Sequence, residues 1–526
     1  MQDREKIRVD AGPAGASGAT SEKGLRTGAL GLLSSVVIGV SSTAPGYSLA
    51  ATIGFVAAAV AFQSPAVMLL AFVPMFCIAY AYRELNAVDP DCGTTFTWAA
   101  RAFGPRTGWM GGWGIVVADI VVMANLAQIA GQYGFLLFGA DGLAGSTFWV
   151  TVVGVSWIVV LTYICYRGIE VSARLQYVLL AVELVVLALF AVVALVKVYT
   201  GHAAAGTVRP ALSWFNPFDI PSFGALSAGV LLAVFIYWGW DTAVTVNEET
   251  RDRDRTPGRA AVISTLVLLG IFLLVTIACQ AYGGVGVLTN PDNQGDVLAV
   301  LGDQVLGTTL GKVLILAVLT SAAASTQTTI LPTARTALSM AASRAIPESF
   351  ARVHPRHQTP TTSTLAMGAA SVVFYVGLVF VSNGRVLADS IAALGLLIAF
   401  YYALTGYTCV WVFRRELRRG FHQALVKGVL PLVGAVVLTL AFYKSAHDMF
   451  AADYGMTSFA GVGGVFLLGI GSLVLGAALM VVCEVAMPDY FRGRTLPRTF
   501  GPVAVPVQGS VAEPVGDDLR TEGTPR

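Results

Sequence analysis

The sequence predicts an all-α membrane protein of twelve transmembrane helices, in which helices 1 and 6 are broken and helices 1–5 and 6–10 form an inverted repeat. Three observations predict this fold: the composition, the apolar runs, and two polar interruptions that lie five runs apart. Hydrophobic residues make up 56% of the 526 residues and charged residues only 12%, which is outside the range of soluble globular proteins. The chain is therefore expected to lie in a lipid bilayer.

Twelve apolar runs are long enough, at about 20 residues, to cross the hydrocarbon core as helices. All but five of the 33 Lys and Arg residues lie before run 1 or at and after the end of an even-numbered run. By the positive-inside rule, both termini are cytoplasmic, which predicts a multi-pass protein of the cytoplasmic membrane. The predicted spans are 28–60, 65–84, 106–137, 147–166, 173–198, 222–249, 258–284, 311–340, 362–382, 387–412, 427–445 and 461–486.

The spans form one domain, 28–490, between two polar termini. Residues 28–198 form the first repeat, 222–412 the second, and 427–486 two peripheral helices. The segments 1–27 and 491–526 are rich in polar or small residues and are predicted to be disordered in the cytoplasm. The first segment lacks the features of a cleaved signal peptide, so span 1 is expected to be retained.

Several function classes are disfavoured. The net charge of +2 is too small to indicate a nucleic-acid partner, and the six scattered cysteines form no CxxC pair that would indicate a metal site. No Ser/His/Asp constellation is present, and none of the five histidines lies in the middle of a predicted span. The sequence therefore predicts neither an enzyme nor a bound metal or cofactor.

Span 1 is interrupted in its middle by the sequence Ser41-Ser42-Thr43-Ala44-Pro45-Gly46. Backbone groups that leave a helix at this depth survive only inside protein or beside a wet cavity, and such breaks mark the solute sites of secondary transporters. Span 6 has a similar interruption at Gly239 and Asp241. Two facing breaks would offer N–H groups to a carboxylate and C=O groups to an ammonium. The alternative is that Pro45-Gly46 is a tolerated kink.

Four segments resemble the amino acid-polyamine-organocation superfamily of permeases. They are YRELNAVDPDCGTTFTWAARAFGPRTGWMGGW (82–113), RGIEVSARLQ (167–176), GWDTAVTVNEETRDRDRTPGRA (239–260) and ARTALSMAASRAIPESFARVHPRHQTPTTS (334–363). They occur in the order found in the family, and the resemblance extends over about 28–419. It implies a leucine-transporter-like fold and secondary active transport of amino acids by alternating access.

The resemblance also implies a substrate site at the two breaks. In break 1, hydroxyl and N–H groups would grip an α-carboxylate, although most relatives have a Gly-rich stretch there. Phe235 matches a gating aromatic residue, and Tyr237 and Trp238 would form the wall, unless these rings are plain packing. Asp241 either contacts a cationic group of the substrate or caps the resumed half-helix. The predicted substrate-binding residues are Ser41, Ser42, Thr43, Ala44, Gly46, Phe235, Tyr237, Trp238 and Asp241.

Three acidic residues, Asp119, Glu183 and Asp241, lie deep within spans, where a charge costs about 2.5–3.5 kcal/mol. Glu183 falls where many relatives carry a lysine in helix 5, and it could bind a proton or hold a cation. The alternative is a protonated carboxyl bonded to a neighbouring helix. Asp119 could line the path or pair with another helix. The predicted proton-coupling residues are Glu183, Ser321, Ser325, Thr326 and Asp119.

The predicted function is secondary active transport of amino acids, driven by protons. The alternatives are a polyamine or organocation permease, an amino acid exchanger, and a sensor that binds amino acids without moving them. The expected partners are an amino acid or amine, protons and the lipid bilayer. On the cytoplasmic side, Glu248 and Glu249 are expected to form a charge network with Arg251–Arg259 that helps to close the inner gate.

Overall fold

The computed structural model describes residues 21–202, 206–291, 293–382 and 385–500. Helices dominate the described chain, and the only strands in it are a short antiparallel pair, β1 (Ser458–Phe459) and β2 (Val462–Gly463). The helices are α1 (Leu32–Thr43), α2 (Pro45–Val60), α3 (Ser64–Val88), α4 (Thr95–Phe103), α5 (Pro105–Leu137), α6 (Asp141–Ala144), α7 (Thr147–Arg167), α8 (Ile169–Thr200), α9 (Phe223–Tyr237), α10 (Thr242–Thr245), α11 (Thr256–Leu288), α12 (Val297–Ala342), α13 (Thr361–Ser382), α14 (Arg385–Phe413), α15 (Phe421–Ala424), α16 (Leu430–Met449), α17 (Gly464–Ala486) and α18 (Pro488–Phe491).

Eleven stretches of the described chain are long and apolar enough to cross a membrane, so the chain is a multi-pass membrane protein. The first stretch, Leu32–Val88, has 57 residues and contains α1, α2 and α3. A straight helix of that length would measure about 85 Å, which is far more than the hydrocarbon core of about 30 Å. The two spans predicted at 28–60 and 65–84 both lie in this stretch, and the count of twelve crossings stays a prediction.

The helix boundaries differ most from the predicted spans in α12. This helix begins at Val297, whereas the predicted span begins at residue 311, and it bends at Gly307, where φ is +80°. Asp303 and Gln304 lie in the early part of α12, and such polar residues hide a helix from a search for apolar runs. The helix α12 packs against α5, α8 and α2, and these contacts bring helices of the two predicted repeats together.

The segment that precedes α1 lies against the body of the protein. Leu25 is fully buried beside Cys92 and Leu338, and the backbone of Leu30 pairs with Glu249 and Arg251. Thus residues 21–27, which the sequence assigns to a disordered terminus, make specific contacts. At the other end, Arg101 donates a hydrogen bond to the carbonyl of Thr499, within the predicted tail 491–526. Residues 1–20 and 501–526 lie outside the described chain.

Candidate functional site

The first break is a single residue. The helix α1 ends at Thr43, Ala44 adopts a left-handed conformation with φ +48°, and α2 begins at Pro45. Proline is favoured at the first helical position because its fixed φ suits the helix and its missing N–H is not needed there. The sequence predicts an opening of six residues at this point, so the break is narrower than expected, because Ser41, Ser42 and Thr43 remain in α1.

The second break is longer. The helix α9 ends at Tyr237, Trp238 is extended, Gly239 has φ +121°, and α10 begins at Thr242. Side chains with a Cβ rarely adopt this positive φ, so glycine is the residue that suits the position. The non-helical residues 238–241 therefore include Gly239 and Asp241, where the sequence predicts the interruption of span 6.

The two breaks are in contact. A Cβ added to Gly239 would lie 2.7 Å from the carbonyl carbon and oxygen of Ser42 and 2.9 Å from the nitrogen of Thr43. The hydroxyls of Ser42 and Thr242 lie 2.8 Å apart, within hydrogen-bond distance. Only a residue without a side chain permits this approach, and so the absence of a Cβ at Gly239 allows the two interrupted helices to touch.

Glu183 connects the first break to α12. One carboxylate oxygen, Oε1, accepts hydrogen bonds from the N–H of Gly46 at 2.7 Å and from the hydroxyl of Ser321 at 2.8 Å. The same hydroxyl lies 3.1 Å from the N–H of Tyr47. The other oxygen, Oε2, is buried and has no hydrogen-bond partner in the described chain. Glu183 therefore caps the N-terminus of α2, a contact that the spacing of the residues does not reveal.

The other polar residues predicted in α12 behave differently from one another. Ser325 donates to the carbonyl oxygen of Ser42 at 3.0 Å and so satisfies the end of α1. Thr326 donates to Ala322 within its own helix. The structure thus brings Ser321 and Ser325 to the first break, whereas the hydroxyl of Thr326 is used within α12.

The three predicted aromatic residues have different surroundings, and of the three only Trp238 lines the cavity beside the breaks. Phe235 is buried with the edge of its ring against Tyr47, at a centroid distance of 6.5 Å. Tyr237 packs against Phe272, at a centroid distance of 5.0 Å, and does not line the cavity beside the breaks. Trp238 lines that cavity and donates through its ring N–H to the hydroxyl of Tyr401.

A small cavity lies beside the two breaks. The volume open to the centre of a water molecule is about 10 Å³, which is enough for about one water. A larger solute therefore requires the surrounding helices to separate. The cavity is lined by Ser42, Ile115, Asp119, Trp238, Gly239, Asp241, Thr242, Thr329, Pro332 and Tyr401.

Asp241 projects its carboxylate toward α14. The hydroxyls of Tyr401 and Tyr402 donate to its two oxygens at 3.1 Å and 2.9 Å. The side chain makes no capping hydrogen bond to α10, so the capping alternative is wrong. Neither tyrosine is among the residues predicted from the sequence, although two adjacent tyrosines in the middle of span 10 are a polar signal that could have indicated them.

Asp119 is the second carboxylate of the cavity. It comes from α5, is 3% exposed, and accepts a hydrogen bond from Thr333 at 2.5 Å. No Lys, Arg or His belongs to the lining, and no ion pair involves Asp119, Asp241 or Glu183 within the described ranges. The site therefore combines two buried carboxylates, hydroxyls and aromatic rings without a cation, an arrangement that suits an ammonium group.

The buried acids on the predicted cytoplasmic side each have a cation. The ammonium of Lys23 lies 2.7 Å from Asp91 and 2.7 Å from Glu248. The guanidinium of Arg335 donates to both oxygens of Glu249, at 2.6 Å and 2.9 Å. We call these five residues the cytoplasmic cluster. A fourth ion pair nearby joins Arg101 to Asp89 at 3.1 Å.

This arrangement corrects the predicted charge network. Glu248 and Glu249 pair with Lys23 and Arg335, and not with Arg251–Arg259. The reason is burial: both glutamates are enclosed, whereas Arg251 is exposed and donates to the carbonyl of Gly28. A buried carboxylate that stays ionised is best compensated by a cation that is buried with it, and a lysine in the polar N-terminal segment gives no sequence signal of such a role.

The charges of Lys23 and Asp91 stabilise each other. Burial alone would lower the pKa of Lys23, but Asp91 and Glu248 outweigh it and hold this pKa well above its ordinary value. Burial would likewise raise the pKa of Asp91, and Lys23 lowers it instead. The ligand atoms of Asp91, Cys92 and Glu248 lie within 4.8 Å of one another, but the ammonium of Lys23 already provides a cation at this cluster.

Comparisons with known proteins agree with this architecture. Residues 30–486 match the family model described as amino acid permease. An uncharacterized transporter of Mycobacterium tuberculosis is 30% identical over 437 residues, which cover 81% of this chain and 89% of the relative. The branched-chain amino acid permease of Lactococcus lactis is 24% identical, with coverage of 78% and 86%. A low-affinity putrescine importer of Escherichia coli is 22% identical, also with coverage of 78% and 86%.

Proposed function

The chain belongs to the amino acid permease family, and on this premise we propose that it is a proton-coupled secondary transporter of a small amine-bearing solute, an amino acid or an amine. The resemblance read from four sequence segments is confirmed, and the names of the family and its members point to a membrane transporter and not to an enzyme. The observation that carries the proposal is the cavity at the two breaks, where Asp119 and Asp241 lie without a cation.

The proposed mechanism is alternating access in a twelve-span inverted repeat. The contact between Gly239 and the Ser42–Thr43 backbone is the expected meeting point of the two repeats. The cytoplasmic cluster joins the N-terminal segment, the end of α12 and the segment that follows α10. We place the protein in the cell membrane with both termini in the cytoplasm. In this orientation the cytoplasmic cluster would close the path from the site to the cytoplasm. Opening inward requires these ion pairs to separate.

Glu183 is the proposed proton site. Its Oε1 atom accepts two hydrogen bonds and its buried Oε2 has none. An ionised carboxylate holds the N-terminus of α2 through the positive end of the helix dipole. A proton on Oε2 would remove the charge and weaken that attachment. Proton binding would therefore be coupled to the position of the half-helix that borders the site.

The test uses purified full-length protein in liposomes with radiolabelled alanine, lysine and putrescine as probes. We expect an inside-alkaline pH gradient to drive accumulation of at least one probe, an uncoupler to abolish it, and a sodium gradient to have no effect. Glu183→Gln should lose gradient-driven accumulation while still exchanging internal for external probe. Glu416→Gln, which removes an acid outside the cavity, should behave as wild type.

Other outcomes would contradict the proposal. Accumulation that follows sodium and ignores the pH gradient would remove the proton assignment. Exchange without net uptake under any gradient would identify an exchanger. Binding of a probe without any movement across the membrane would identify a sensor.

A further inference from the structure

We infer that the solute is an amine that lacks a carboxylate, and that Glu183 occupies the position that the carboxylate of an amino acid would need. This inference rests on the proposed transport function and narrows its substrate class. It follows from the backbone donors at the starts of α2 and α10 and from the charged side chains that line the cavity.

No backbone donor at the start of α2 is available to a solute. Pro45 has no N–H group. The N–H of Gly46 donates to Glu183, and the hydroxyl of Ser321 lies within hydrogen-bond distance of the N–H of Tyr47. The next N–H, of Ser48, donates to the carbonyl of Ala44 at 2.8 Å. The positive end of this half-helix is therefore already neutralised by a carboxylate of the chain itself.

The start of α10 offers no donor either. The N–H groups of Thr242 and Ala243 donate to the carbonyls of Gly239 and Trp240, and those of Val244 and Thr245 to the carbonyl of Asp241. A carboxylate brought to the start of α10 would meet only filled donors. The N–H of Gly239 has no backbone partner in the described chain, but Gly239 lines the cavity together with Asp119 and Asp241, so a carboxylate there would face two acidic side chains. Burying a charge without partners is costly, so the site disfavours a carboxylate on energetic grounds.

The cavity is instead complementary to a cation. Asp119 and Asp241 line it together with the rings of Trp238 and Tyr401, and its lining contains no positive side chain. The face of an indole or phenol ring attracts an ammonium. The tyrosine hydroxyls that now donate to Asp241 hold the place that the N–H groups of an ammonium would take once the cavity widens.

The test compares solutes that differ only in the α-carboxylate. Binding to the full-length protein in nanodiscs is measured by calorimetry for three pairs: putrescine and ornithine, cadaverine and lysine, tyramine and tyrosine. We expect the amine to bind at least tenfold more tightly than its amino acid in at least one pair. Equal affinities, tighter binding of the amino acids, or no binding in all three pairs would overturn the inference.

Variants test separately the role of the two cavity carboxylates and the role of Glu183. Asp241→Asn and Asp119→Asn should each weaken amine binding at least tenfold, whereas Asp219→Asn, in the loop before α9, should not. Glu183→Ala vacates the N–H of Gly46 and should shift the preference within a pair toward the amino acid. If that variant does not fold, Ser321→Ala, which vacates the N–H of Tyr47, should produce a smaller shift in the same direction. No shift in a folded variant would contradict the role given to Glu183.

The failures are distinguishable. Tight binding of an amine that liposomes do not accumulate would remove the transport function and leave the inference about the binding site intact. Accumulation of an amino acid in preference to its amine would leave the transport function intact and remove the inference.

Discussion

The buried acids of this protein fall into two regions with opposite surroundings. On the predicted cytoplasmic side, Asp91, Glu248 and Glu249 lie against Lys23 and Arg335 at hydrogen-bonding distance. In the cavity at the helix breaks, Asp119 and Asp241 are equally buried, but their side-chain hydrogen-bond partners are hydroxyl groups. Within the described chain, each acid of the first region has a cation partner and neither acid of the second region has one.

The acids with a cation partner stabilise the fold, whereas the acids without one are available to a solute. A buried carboxylate that keeps its charge needs a compensating cation. Where the chain provides that cation, the pair holds elements together, and losing one partner is expensive. Where the chain provides no cation, a positively charged ligand can compensate the carboxylate. This comparison predicts that substitutions in the two regions have opposite effects on stability and binding.

The largest effect is expected from Lys23→Met. It leaves Asp91 and Glu248 buried without their shared cation, which should cost about 3–5 kcal/mol of stability. The thermal midpoint of the purified protein should fall steeply, and Cys92, which is fully buried beside Lys23, should react faster with a maleimide in a Cys483→Ala background. Arg255→Met, which removes an exposed pair with Asp254, is the control and should change stability by less than about 1 kcal/mol. Equal effects of the two variants would refute a structural role for the cytoplasmic cluster.

The second prediction concerns the contact between the breaks. Gly239→Ala should abolish uptake and lower stability by about 1–3 kcal/mol, because its Cβ would overlap the Ser42 backbone and the residue would keep a strained positive φ. Gly270→Ala in α11 is the control, since a Cβ there meets nothing within 4 Å. It should leave uptake unchanged. Normal uptake by Gly239→Ala would show that the breaks need not touch.

The third prediction concerns the stability of the cavity. Asp241→Asn should leave the thermal midpoint unchanged or raise it, because it removes an uncompensated charge, while the amide oxygen can still accept from one tyrosine hydroxyl and the amide NH2 group can donate to the other. Asp91→Asn, made as the matched change in the cytoplasmic cluster, should lower the midpoint. Sites that bind ligands are commonly maintained at the expense of stability. A fall for Asp241→Asn as large as that for Asp91→Asn would erase the distinction between the two regions.

The last prediction concerns a pH dependence at Asp89. Burial raises its pKa to about 7 in spite of Arg101, whereas an unfolded aspartate has a pKa of about 4. The folded protein therefore binds this proton more strongly, and the contribution of Asp89 to stability declines as the pH rises from about 4 to 7. Asp89→Asn should weaken the fall of the thermal midpoint between pH 5 and pH 8. An unchanged pH profile would contradict the shifted pKa.

The sequence predicts the fold better than it predicts the contacts. Apolar runs of membrane length and polar residues in the middle of a run are local signals, and they indicate the spans and both breaks. The placement of Glu183 on Gly46 depends on the rotation of α8 about its axis, which a sequence with a nearly uniform apolar surface does not encode. The sequence therefore indicates that Glu183 is used, but not that it caps a helix.

Contacts distant in sequence were missed for a related reason. Lys23 lies in a polar, small-residue-rich segment, and its partner Glu248 is 225 positions away. Four arginines are much nearer to Glu248 in sequence, and their spacing makes them the expected partners. They do not pair with it because Glu248 is buried and its partner has to be buried as well. Tyr401 and Tyr402 were missed because tyrosines in a membrane helix are usually part of the packing.

The most direct test of the central claim is a cryo-electron microscopy structure of the full-length protein with cadaverine. We expect density for the diamine beside the two breaks, with one ammonium within hydrogen-bond distance of Asp241 or Asp119. We also expect that Glu183 still caps α2 and that at least one tyrosine hydroxyl is displaced from Asp241. Cadaverine bound elsewhere, or an ammonium that contacts neither carboxylate, would contradict the account.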